Sequence, residues 1–453
     1  MNTQPNVIYL HTHDCGRFIE PYGYAYKTPN LMKLAQGGVT FRNAHCVAPS
    51  CSPSRAALLT GEYTHTNGMF GLASRCSGWQ LKDYSHHMCH TFKKHGYETV
   101  LAGVQHLAKM PLSDRDWLGY DRHLNPLPKD CHDDFECMTT DVKAAEFLME
   151  KHDRPFFLSV GFLEPHRAGK GFIKHHPVDP NPDGRYERPL PLYPDNEITR
   201  KESALFRQGV SHVDRQFGVV LDALERSGLA ENTIVVCTTD HGLGFPKMKC
   251  TLSDWGTGVF LIIRGPGFQQ GAVEDGLVSH VDIFPTLCDA LGFEKPEWLQ
   301  GQSFLPLLKG ESDQGREYLF TEQNYHGSWK PLRAVCDGRY KLVRNFLPGD
   351  NETRFTTDAG PTHHMLVECP HGMDTRMVPE YQLFDRFFDP AEVCNVADKP
   401  EYEQEFLRLK ERLDAWMDET NDPILTGDIP AEEPDKGFKH YYIDMNLGYP
   451  VMI

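Results

Sequence analysis

The sequence predicts two packed units: a large α/β domain whose mostly parallel central sheet is flanked by helices, and a smaller C-terminal α+β domain with an antiparallel sheet. Short apolar runs alternate with helical patterns through the first two thirds of the chain. From about Gly315 onward, short strand-like runs and loops rich in Pro, Gly and Asp replace that alternation. The 453 residues also exceed what one compact core usually holds. We therefore expect a large domain over residues 1–315 and a smaller one over 316–453.

Five apolar runs are the candidate strands of the large sheet: Asn6–Leu10, Glu98–Ala102, Phe156–Gly161, Thr233–Thr238 and Val259–Ile263. A helix before the fourth run is predicted by apolar residues at i, i+4, i+7, i+8 and i+11, namely Val213, Phe217, Val220, Leu221 and Leu224. Sites of parallel sheets lie at the carboxyl ends of the strands. We therefore expect a site built from the polar residues that follow these runs: His13, Asp14, His106, His166, Asp240 and His241.

The smaller domain is predicted from three strand-like runs and a closing helix. The runs are Tyr318–Thr321, Arg333–Cys336 and Tyr340–Val343. The helix carries one apolar stripe, made of Phe406, Leu409, Leu413, Trp416 and Met417. The segment Leu347–Pro379 between them is rich in Gly, Thr and His, and we expect a long surface loop or substrate-facing loop there.

Composition narrows the class of partner. The 46 Lys and Arg against 63 Asp and Glu give a net charge of −17, which disfavours nucleic acid and anionic membranes. An anionic substrate would therefore need a local cationic pocket. The chain opens without a basic and apolar leader pattern, has no apolar run of transmembrane length, and carries 13 cysteines without framework spacing. These features predict a bacterial cytoplasmic protein with reduced thiols.

Residues 51 to 55 read Cys-Ser-Pro-Ser-Arg, and the segment continues Ala-Ala-Leu-Leu-Thr-Gly. On its own, this segment is compatible with a buried structural cysteine before a helix. The CxPxR pattern also resembles the maturation signature of the type I sulfatases, in which the cysteine is oxidised to formylglycine. Ordered matches elsewhere in the chain decide between the two interpretations.

The resemblance to the sulfatases, which belong to the alkaline phosphatase superfamily, extends over nearly the whole chain. Its matching pieces are His13-Asp14-Cys15-Gly16, Thr28-Pro29-Asn30-Leu31 through Phe41-Arg42-Asn43-Ala44, Thr239-Asp240-His241-Gly242, Gly265-Pro266-Gly267, Tyr381-Gln382-Leu383-Phe384-Asp385, and Asp389-Pro390 to Asn395. Further pieces are most similar to the heparan N-sulfatase (sulfamidase) branch: residues 50–55, His65-Thr66-Asn67-Gly68-Met69, Pro165-His166-Arg167 and Asp418 to Pro423. The resemblance implies the fold expected above and a sulfatase activity.

The family's chemistry implies a covalent route through modified Cys51. The formylglycine hydrate carries two hydroxyls on one carbon. One attacks sulfur, and deprotonation of the other expels the sulfate and restores the aldehyde. A formylglycine-generating maturase is therefore an implied transient partner.

The resemblance also implies one divalent metal ion, which would act as a Lewis acid. Its ligands by family position are His13, Asp14, modified Cys51, Asp240 and His241. Oxygen ligands are typical of Ca²⁺ or Mg²⁺, whereas two imidazoles favour Mn²⁺ or Zn²⁺. Most sulfatases have Asp where this chain has His13. His13 is therefore either a ligand or a hydrogen-bonding neighbour of the ligands. A metallo-β-lactamase pattern does not fit, because the spacing differs and the final His is missing.

Four further residues have catalytic roles implied by family position. Arg55 would hold the formylglycine oxygen, and Lys249 would bind the sulfate. His166 would contact the sulfate or the leaving-group oxygen and serve as general acid. His106 would lie beside the formylglycine hydroxyl and trigger its collapse. Where the family usually has Lys two residues before that histidine, this chain has Val104, and Lys109 or Lys247 are candidates to replace it.

Four residues of the smaller domain are candidates for the substrate side of the cleft: His326, Arg333, His363 and His364. For His363 and His364, a solvated loop position is the favoured interpretation. His326 joins His166 and Lys249 as the predicted substrate-binding residues.

Together these residues predict hydrolysis of a sulfate ester or sulfamate of a small sugar or aryl compound. The alternative is hydrolysis of a phosphonate monoester or a phosphodiester. Enzymes with that activity also have His after Asp in their second metal-binding segment, as in Asp240-His241 here. Their substrates carry less negative charge, so an active site with fewer lysines, such as one with Val104, is compatible with this activity. A catalytically inactive protein that binds sulfated glycans is a third hypothesis, motivated by His13 and Val104. We expect no nucleic acid or membrane partner, and a homo-oligomer is compatible with the sequence.

Overall fold

The structure is a computed structural model, and strands and helices are given for the residues it describes. These are residues 4–73, 79–108, 117–125, 139–167, 172, 183–326, 329–349, 360–368, 378–427, 429, 441–444 and 449–452. Lys109 lies outside them, as do parts of the segment 347–379.

Strands in the described residues form one large sheet, one four-stranded sheet and two small ladders. They are β1 (Asn6–Thr12), β2 (Val39–Phe41), β3 (Ala44–His45), β4 (Glu98–Gly103), β5 (Arg122–His123), β6 (Phe156–Gly161), β7 (Thr233–Thr239), β8 (Leu261–Arg264), β9 (Ala272–Glu274), β10 (Val278–Ser279), β11 (Leu319–Tyr325), β12 (Trp329–Cys336), β13 (Tyr340–Asn345), β14 (Tyr381–Asp385), β15 (Tyr441–Asp444) and β16 (Tyr449–Met452).

Helices cover both faces of the large sheet and close the smaller one. The α-helices are α1 (Pro29–Gln36), α2 (Cys51–Thr60), α3 (Thr64–Asn67), α4 (Met88–Lys94), α5 (Thr140–Leu148), α6 (Glu197–Arg226), α7 (Asp254–Thr257), α8 (Ile283–Leu291), α9 (Leu305–Lys309), α10 (Pro361–Glu368) and α11 (Glu403–Glu419). Within the described ranges, no helix combines the length and the apolarity needed to cross a bilayer.

The large sheet has the strand order β5-β4-β6-β1-β7-β8-β2-β9. Neighbouring strands run parallel except at β8, which is antiparallel to both β7 and β2. The predicted, mostly parallel sheet is therefore confirmed. The fifth predicted run, Val259–Ile263, forms β8 over Leu261–Arg264, and its reversed direction was not visible in the apolar run itself. A continuous apolar run indicates burial on both faces but carries no information on strand direction.

The second sheet is antiparallel with the order β11-β12-β13-β14, as predicted. The predicted stripe of α11 packs on it, with Leu409, Leu413, Trp416 and Met417 buried in one cluster with strand residues. Phe406 is partly buried beside them.

The segment Leu347–Pro379 was expected to be a loop, and its described part contains helix α10. This helix lies between β13 and β14 in the chain, yet it contacts α6 of the large domain. The backbone N–H of Thr362 donates to Glu202 Oε2 of α6 at 2.7 Å, and Asn196 Nδ2, at the start of α6, lies 3.1 Å from Met365 Sδ. The segment therefore crosses from the small sheet to the large domain.

Helix α2 is buried along its whole length, and polar contacts fix its position. Ser54 Oγ donates to the carbonyl of Asp240 and lies 3.4 Å from His280 Nδ1. His280 Nε2 is 3.1 Å from Thr238 Oγ1 on β7. Burial, opposed by the nearby Asp240 carboxylate, lowers the pKa of His280 to about 3. A neutral buried histidine thus joins α2 to the central strand.

We predict that His280 makes the fold sensitive to acid. Below the unfolded-state pKa of about 6.5, the unfolded chain takes up a proton at this residue that the native chain does not. The free energy of unfolding should therefore decrease as the pH falls from about 6.5 to about 3, by ~1.4 kcal/mol per pH unit for this one residue. Urea unfolding at pH 7, 6 and 5 should show a shallower pH dependence for His280→Gln than for the wild type.

The matched control is His364→Gln, which removes an exposed imidazole. Equal pH slopes for the wild type and His280→Gln would contradict the assignment.

Candidate active site

Strand ends bring the predicted site residues to one edge of the large sheet. His13 and Asp14 follow β1, and His106 follows β4. His166 follows β6, and Asp240 follows β7 together with His241. Because β4, β6, β1 and β7 are consecutive parallel neighbours, their carboxyl ends meet at the same edge.

Four buried side chains at this edge form a candidate metal site. One ligand atom each of His13, Asp14, Cys51 and Asp240 lie within 4.8 Å of one another. His13 Nδ1 is 3.1 Å from Asp240 Oδ2. His241 Nε2 is 3.3 Å from both Asp14 Oδ1 and Cys51 Sγ, so the fifth predicted ligand borders the same cluster. The predicted set is thus together in space, while the ligand role of each member stays a prediction.

The residues of this cluster fit a divalent cation. Nε2 of His13 and Oδ1 of Asp14 are buried without a hydrogen-bond partner among the described residues. Burial, together with the positive charge of Arg55, holds the pKa of His13 well below its ordinary value, so its imidazole is neutral. A neutral imidazole and a carboxylate offer lone pairs to a metal, and buried polar atoms without a partner are costly otherwise.

Asp240 is the central acceptor of the site. Its Oδ1 accepts the backbone N–H groups of Asp14 and His241, both at 2.9 Å. Its Oδ2 faces His13 and accepts a hydrogen bond from Arg55 Nη2 at 3.1 Å. Burial disfavours the ionised form, but His241, His13 and Arg55 together hold the pKa of Asp240 well below its usual range. The carboxylate is therefore ionised, and it binds three segments at once.

Two site residues have left-handed backbone conformations. Asp14 has φ 50° and His106 has φ 54°. For residues other than glycine, this region costs about 1 kcal/mol or more. The loop opposite Asp14 also needs a glycine, because a Cβ on Gly244 would lie 2.4 Å from Asp14 Oδ2. The backbone is thus held in an unfavourable form where the polar side chains converge.

Cys51 is the first residue of helix α2, and Arg55 lies one turn further along. The N-terminus of a helix favours negative charge near it. Burial raises the pKa of the Cys51 thiol well above its ordinary value. As a thiol, this side chain is therefore protonated and a weak nucleophile.

Arg55 is held by a residue that the sequence interpretation missed. Its Nη1 donates to His11 Nδ1 at 2.5 Å, and its Nη2 donates to the carbonyl of Thr12 at 3.1 Å. Because His11 accepts at Nδ1, its proton is on Nε2, which lies 3.4 Å from Ser159 Oγ. The available signal was a histidine that directly follows the apolar run Val7–Leu10 within strand β1.

Lys249 and His166 face the same carboxylate oxygen. Lys249 Nζ donates to Asp14 Oδ2 at 3.1 Å and is almost fully buried. His166 Nε2 is 3.9 Å from that oxygen, while its Nδ1 donates to the carbonyl of Arg167 at 2.7 Å. The Nε2 atom of His166 is therefore the one directed at the cluster.

His106 lies on the far side of His13. The two ring centroids are 6.1 Å apart, and the ring of His166 is 5.5 Å from that of His13. Burial, reinforced by Arg55, lowers the pKa of His106 to about 3. Val104 is buried two residues earlier. Lys247 precedes Lys249 in the same turn. That Lys247 takes the place of the lysine which the family usually has at position 104 stays a prediction.

One residue of the smaller domain reaches the cluster. His326, which follows β11, has its Nδ1 2.9 Å from Ser50 Oγ, and Ser50 directly precedes Cys51. His326 therefore lies beside the residue that precedes the candidate nucleophile, and its substrate-binding role stays a prediction.

Arg333 does not line the cleft, contrary to expectation. Its side chain is fully buried and donates to Asp422 through Nε and Nη2, while Nη2 lies 3.7 Å from Glu322. Two buried carboxylates require a buried cation, and this requirement places Arg333 in the interior. His363 is also buried, within α10, whereas the neighbouring His364 is exposed as expected.

Asp254, five residues after Lys249, binds two arginines. Its Oδ2 accepts from Arg17 Nη1 at 2.6 Å, and its Oδ1 accepts from Arg386 Nη2 at 2.7 Å. These two arginines hold the pKa of Asp254 far below its usual range, although burial acts in the opposite direction. Arg17 follows the segment of His13 and Asp14, and Arg386 belongs to the small domain, so Asp254 joins the two domains.

Comparison with known proteins identifies the family. Residues 5–293 match the sulfatase family model, and residues 249–364 match the model of the N-sulphoglucosamine sulphohydrolase C-terminal region. Human N-sulphoglucosamine sulphohydrolase is 28% identical, over 88% of this chain and 87% of its own. An ulvan-active sulfatase of Formosa agariphila is 29% identical, over 97% of this chain and 86% of its own.

Solved structures share the fold along nearly the whole chain. A putative sulfatase of Bacteroides thetaiotaomicron superposes with a TM-score of 0.71 at 24% identity, covering 95% of this chain and 96% of its own. A protein named BT4656, solved with its substrate D-glucosamine-2-N,6-O-disulfate, gives 0.69 at 19% identity, over 92% and 98%. A phosphonate monoester hydrolase of Agrobacterium radiobacter gives 0.66 at 23% identity, over 93% and 97%. With its sequence matched over the large domain and its fold matched throughout, this chain belongs to the sulfatase family.

Proposed function

We propose that the protein hydrolyses a sulfate ester or sulfamate of a small sugar, with oxidised Cys51 as nucleophile and one divalent cation bound. The observation that carries this proposal is the position of Cys51. It begins a buried helix, lies within 4.8 Å of the ligand atoms of His13, Asp14 and Asp240, and is followed by Arg55 one turn later.

The bound groups supply two kinds of chemistry. His13, Asp14, Asp240, His241 and modified Cys51 would hold the cation, which would supply Lewis-acid chemistry. Formylglycine at position 51 supplies an oxygen nucleophile and the hydroxyl through which sulfate is released.

Charge at the site suits an anionic substrate. The carboxylates of Asp14 and Asp240 are balanced by Arg55 and Lys249, which lie within hydrogen-bond distance of them. A divalent cation bound there would leave an excess of positive charge in this buried cluster, where electrostatic interactions are stronger than in water. A sulfate group is attracted by this local charge despite the net charge of −17 on the whole chain.

Two histidines divide the proton transfers. Because Nδ1 of His166 donates to the carbonyl of Arg167, His166 would act as general acid in its imidazolium form, donating from Nε2 to the leaving oxygen or nitrogen as the bond to sulfur breaks. His106 is neutral at neutral pH, because its pKa lies near 3, and its free base accepts the proton whose removal releases sulfate. Arg55 and Lys249 stabilise negative charge on the transferring group.

The substrate class is inferred from relatives and from the contacts that the small domain makes near the site. The human relative is named for N-sulphoglucosamine, and BT4656 was solved with a glucosamine disulfate. His326 of the small domain lies beside Ser50, and α10 packs on α6. On this basis the proposed substrate is one terminal residue of a glucosamine N- or O-sulfate, rather than the interior of a polymer.

Phosphonate monoester hydrolysis is the second candidate. The pairing of Asp240 with His241 and the presence of Val104 in place of a lysine favour it. The Agrobacterium enzyme is related by fold alone, at 23% identity.

Three further proposals come from the sequence: a cytoplasmic location, transient binding of a maturase, and homo-oligomerisation. Cell fractionation would test the location, and sedimentation would test the oligomeric state.

We predict that Cys51 is oxidised to formylglycine in a host that contains a maturase. Mass spectrometry of the tryptic peptide should show the aldehyde, and Cys51→Ser and Cys51→Ala should abolish turnover, because neither carries a geminal hydroxyl pair. Circular dichroism should show that both variants fold. An unmodified thiol in fully active enzyme would contradict the prediction.

A second prediction concerns the cation. With His13 and His241 among its neighbours, the site should prefer Mn²⁺ or Zn²⁺ over Ca²⁺. His13→Asp should move this preference towards harder cations, because it replaces an imidazole with a carboxylate. Metal content by mass spectrometry and affinity by titration of the metal-free protein give a readout independent of turnover. Identical selectivity in both forms would place His13 outside the ligand set.

A third prediction concerns substrate. Sulfate release should be fastest with glucosamine N- or O-sulfate mono- and disaccharides, slower with aryl sulfates and slowest with long heparan chains. Ion chromatography of released sulfate, run beside a phenyl phosphonate, makes the comparison. Faster cleavage of the phosphonate than of every sulfate would overturn the proposal in favour of the second candidate.

A further inference from the structure

A buried ion pair outside the catalytic cluster joins three segments that border it. Arg167 directly follows His166, and its guanidinium contacts Glu202 Oε1 of helix α6. The exposed fractions of the two side chains are 7% and 2%. A buried pair of this kind requires well-defined geometry, because both charges have lost their hydration. It belongs neither to the metal ligands nor to the proposed proton donors.

The first segment is the one that carries His166. The carbonyl of Arg167 accepts from His166 Nδ1 at 2.7 Å, so the backbone at Arg167 sets the direction of the imidazole. Helix α6 packs tightly on the same segment. A Cβ on Gly209 would lie 2.9 Å from Pro165 Cβ, which leaves little room for the segment to move.

The second segment is the turn that carries Lys249. The guanidinium of Arg167 lies over the rings of Phe172 and Phe245, at 4.4 Å and 5.4 Å from their centroids. Phe245 belongs to a tight turn that is closed by the N–H of Lys249 donating to the carbonyl of Leu243 at 3.0 Å. Arg167 therefore contacts the turn that directs Lys249 towards Asp14.

The third segment is helix α10 of the small domain. The other oxygen of Glu202, Oε2, accepts from the backbone N–H of Thr362 at 2.7 Å. Gly360, just before this helix, approaches so closely that a Cβ there would lie 2.6 Å from Arg167 Cζ and 2.8 Å from Glu202 Oε1. One carboxylate thus binds Arg167 with one oxygen and the start of α10 with the other.

We propose that Glu202 is a positioning residue for the sulfuryl transfer. Through Arg167 and Thr362 it holds His166, the Lys249 turn and α10 together as one wall of the substrate pocket. This proposal deepens the proposed function and rests on it for the reaction, whereas the mechanical coupling of the three segments does not depend on which anion is cleaved.

The test is Glu202→Gln in the full-length protein. Gln keeps the length and an acceptor for Thr362, but it removes the charge that pairs with Arg167. We expect kcat for sulfate release to fall by about 10- to 100-fold with a smaller change in KM, as for a small misplacement of reacting groups. Hydrogen–deuterium exchange should increase together in residues 243–249 and 360–368, and this readout needs no turnover.

Two further variants complete the test. Asp195 lies just before α6 and forms an ion pair near the surface with Arg200 of that helix. Asp195→Asn removes this acid, and it should change neither kcat nor exchange in the two segments. Gly360→Ala adds one methyl group against the ion pair and removes no charge. Gly360→Ala should also increase exchange in both segments, so it provides the test if Glu202→Gln does not fold.

The outcomes separate the two levels of the proposal. Faster exchange in 360–368 alone, with kcat and residues 243–249 unchanged, would overturn the positioning role. If Glu202→Gln increases exchange in both segments but the wild type releases no sulfate from any substrate, the proposed function is refuted and the coupling of the segments still holds.

Discussion

The carboxylate of Asp240 is the interaction on which the rest of the site depends. One of its oxygens fixes the backbone after β1 and after β7, and the other holds Arg55 of α2 opposite His13. Replacing it with a neutral side chain would leave a buried arginine without its charge partner and two backbone donors without an acceptor. The arrangement of strand ends and helix α2 is therefore not separable from the chemistry of the cluster.

Support for the cluster comes from a surrounding layer of buried charges. Asp254 connects the loop after β1 with the small domain through Arg17 and Arg386. Glu202 connects the His166 segment with α10. In both cases one carboxylate binds groups from two parts of the chain that are far apart in sequence. The small domain is thus fixed relative to the strand ends by directional polar contacts as well as by apolar packing.

The sequence predicted β1, β4, β6, β7 and β8 of the large sheet and the polar residues that follow four of them, because buried strands are continuous apolar runs and sites of parallel sheets lie at strand ends. It did not predict the short strands β2, β5 and β9, which have only two or three residues each. It did not predict His11 or Glu202 as supports, since neither has a local pattern that identifies its partner. Arg333 was misjudged for the same reason: its neighbours Asp422 and Glu322 come from other parts of the chain. The reversed direction of β8 also depends on tertiary connection, which a short run does not encode.

The burial of helix α2 has a consequence for the order in which the protein is modified and folds. Cys51 is 1% exposed, and all ten residues of the helix are buried. An enzyme that oxidised Cys51, as proposed above, would find this side chain inaccessible in the folded protein. On that proposal the oxidation has to precede the burial of α2, so the fraction of oxidised molecules in a preparation would depend on the relative rates of oxidation and folding, rather than on the stability of the folded structure.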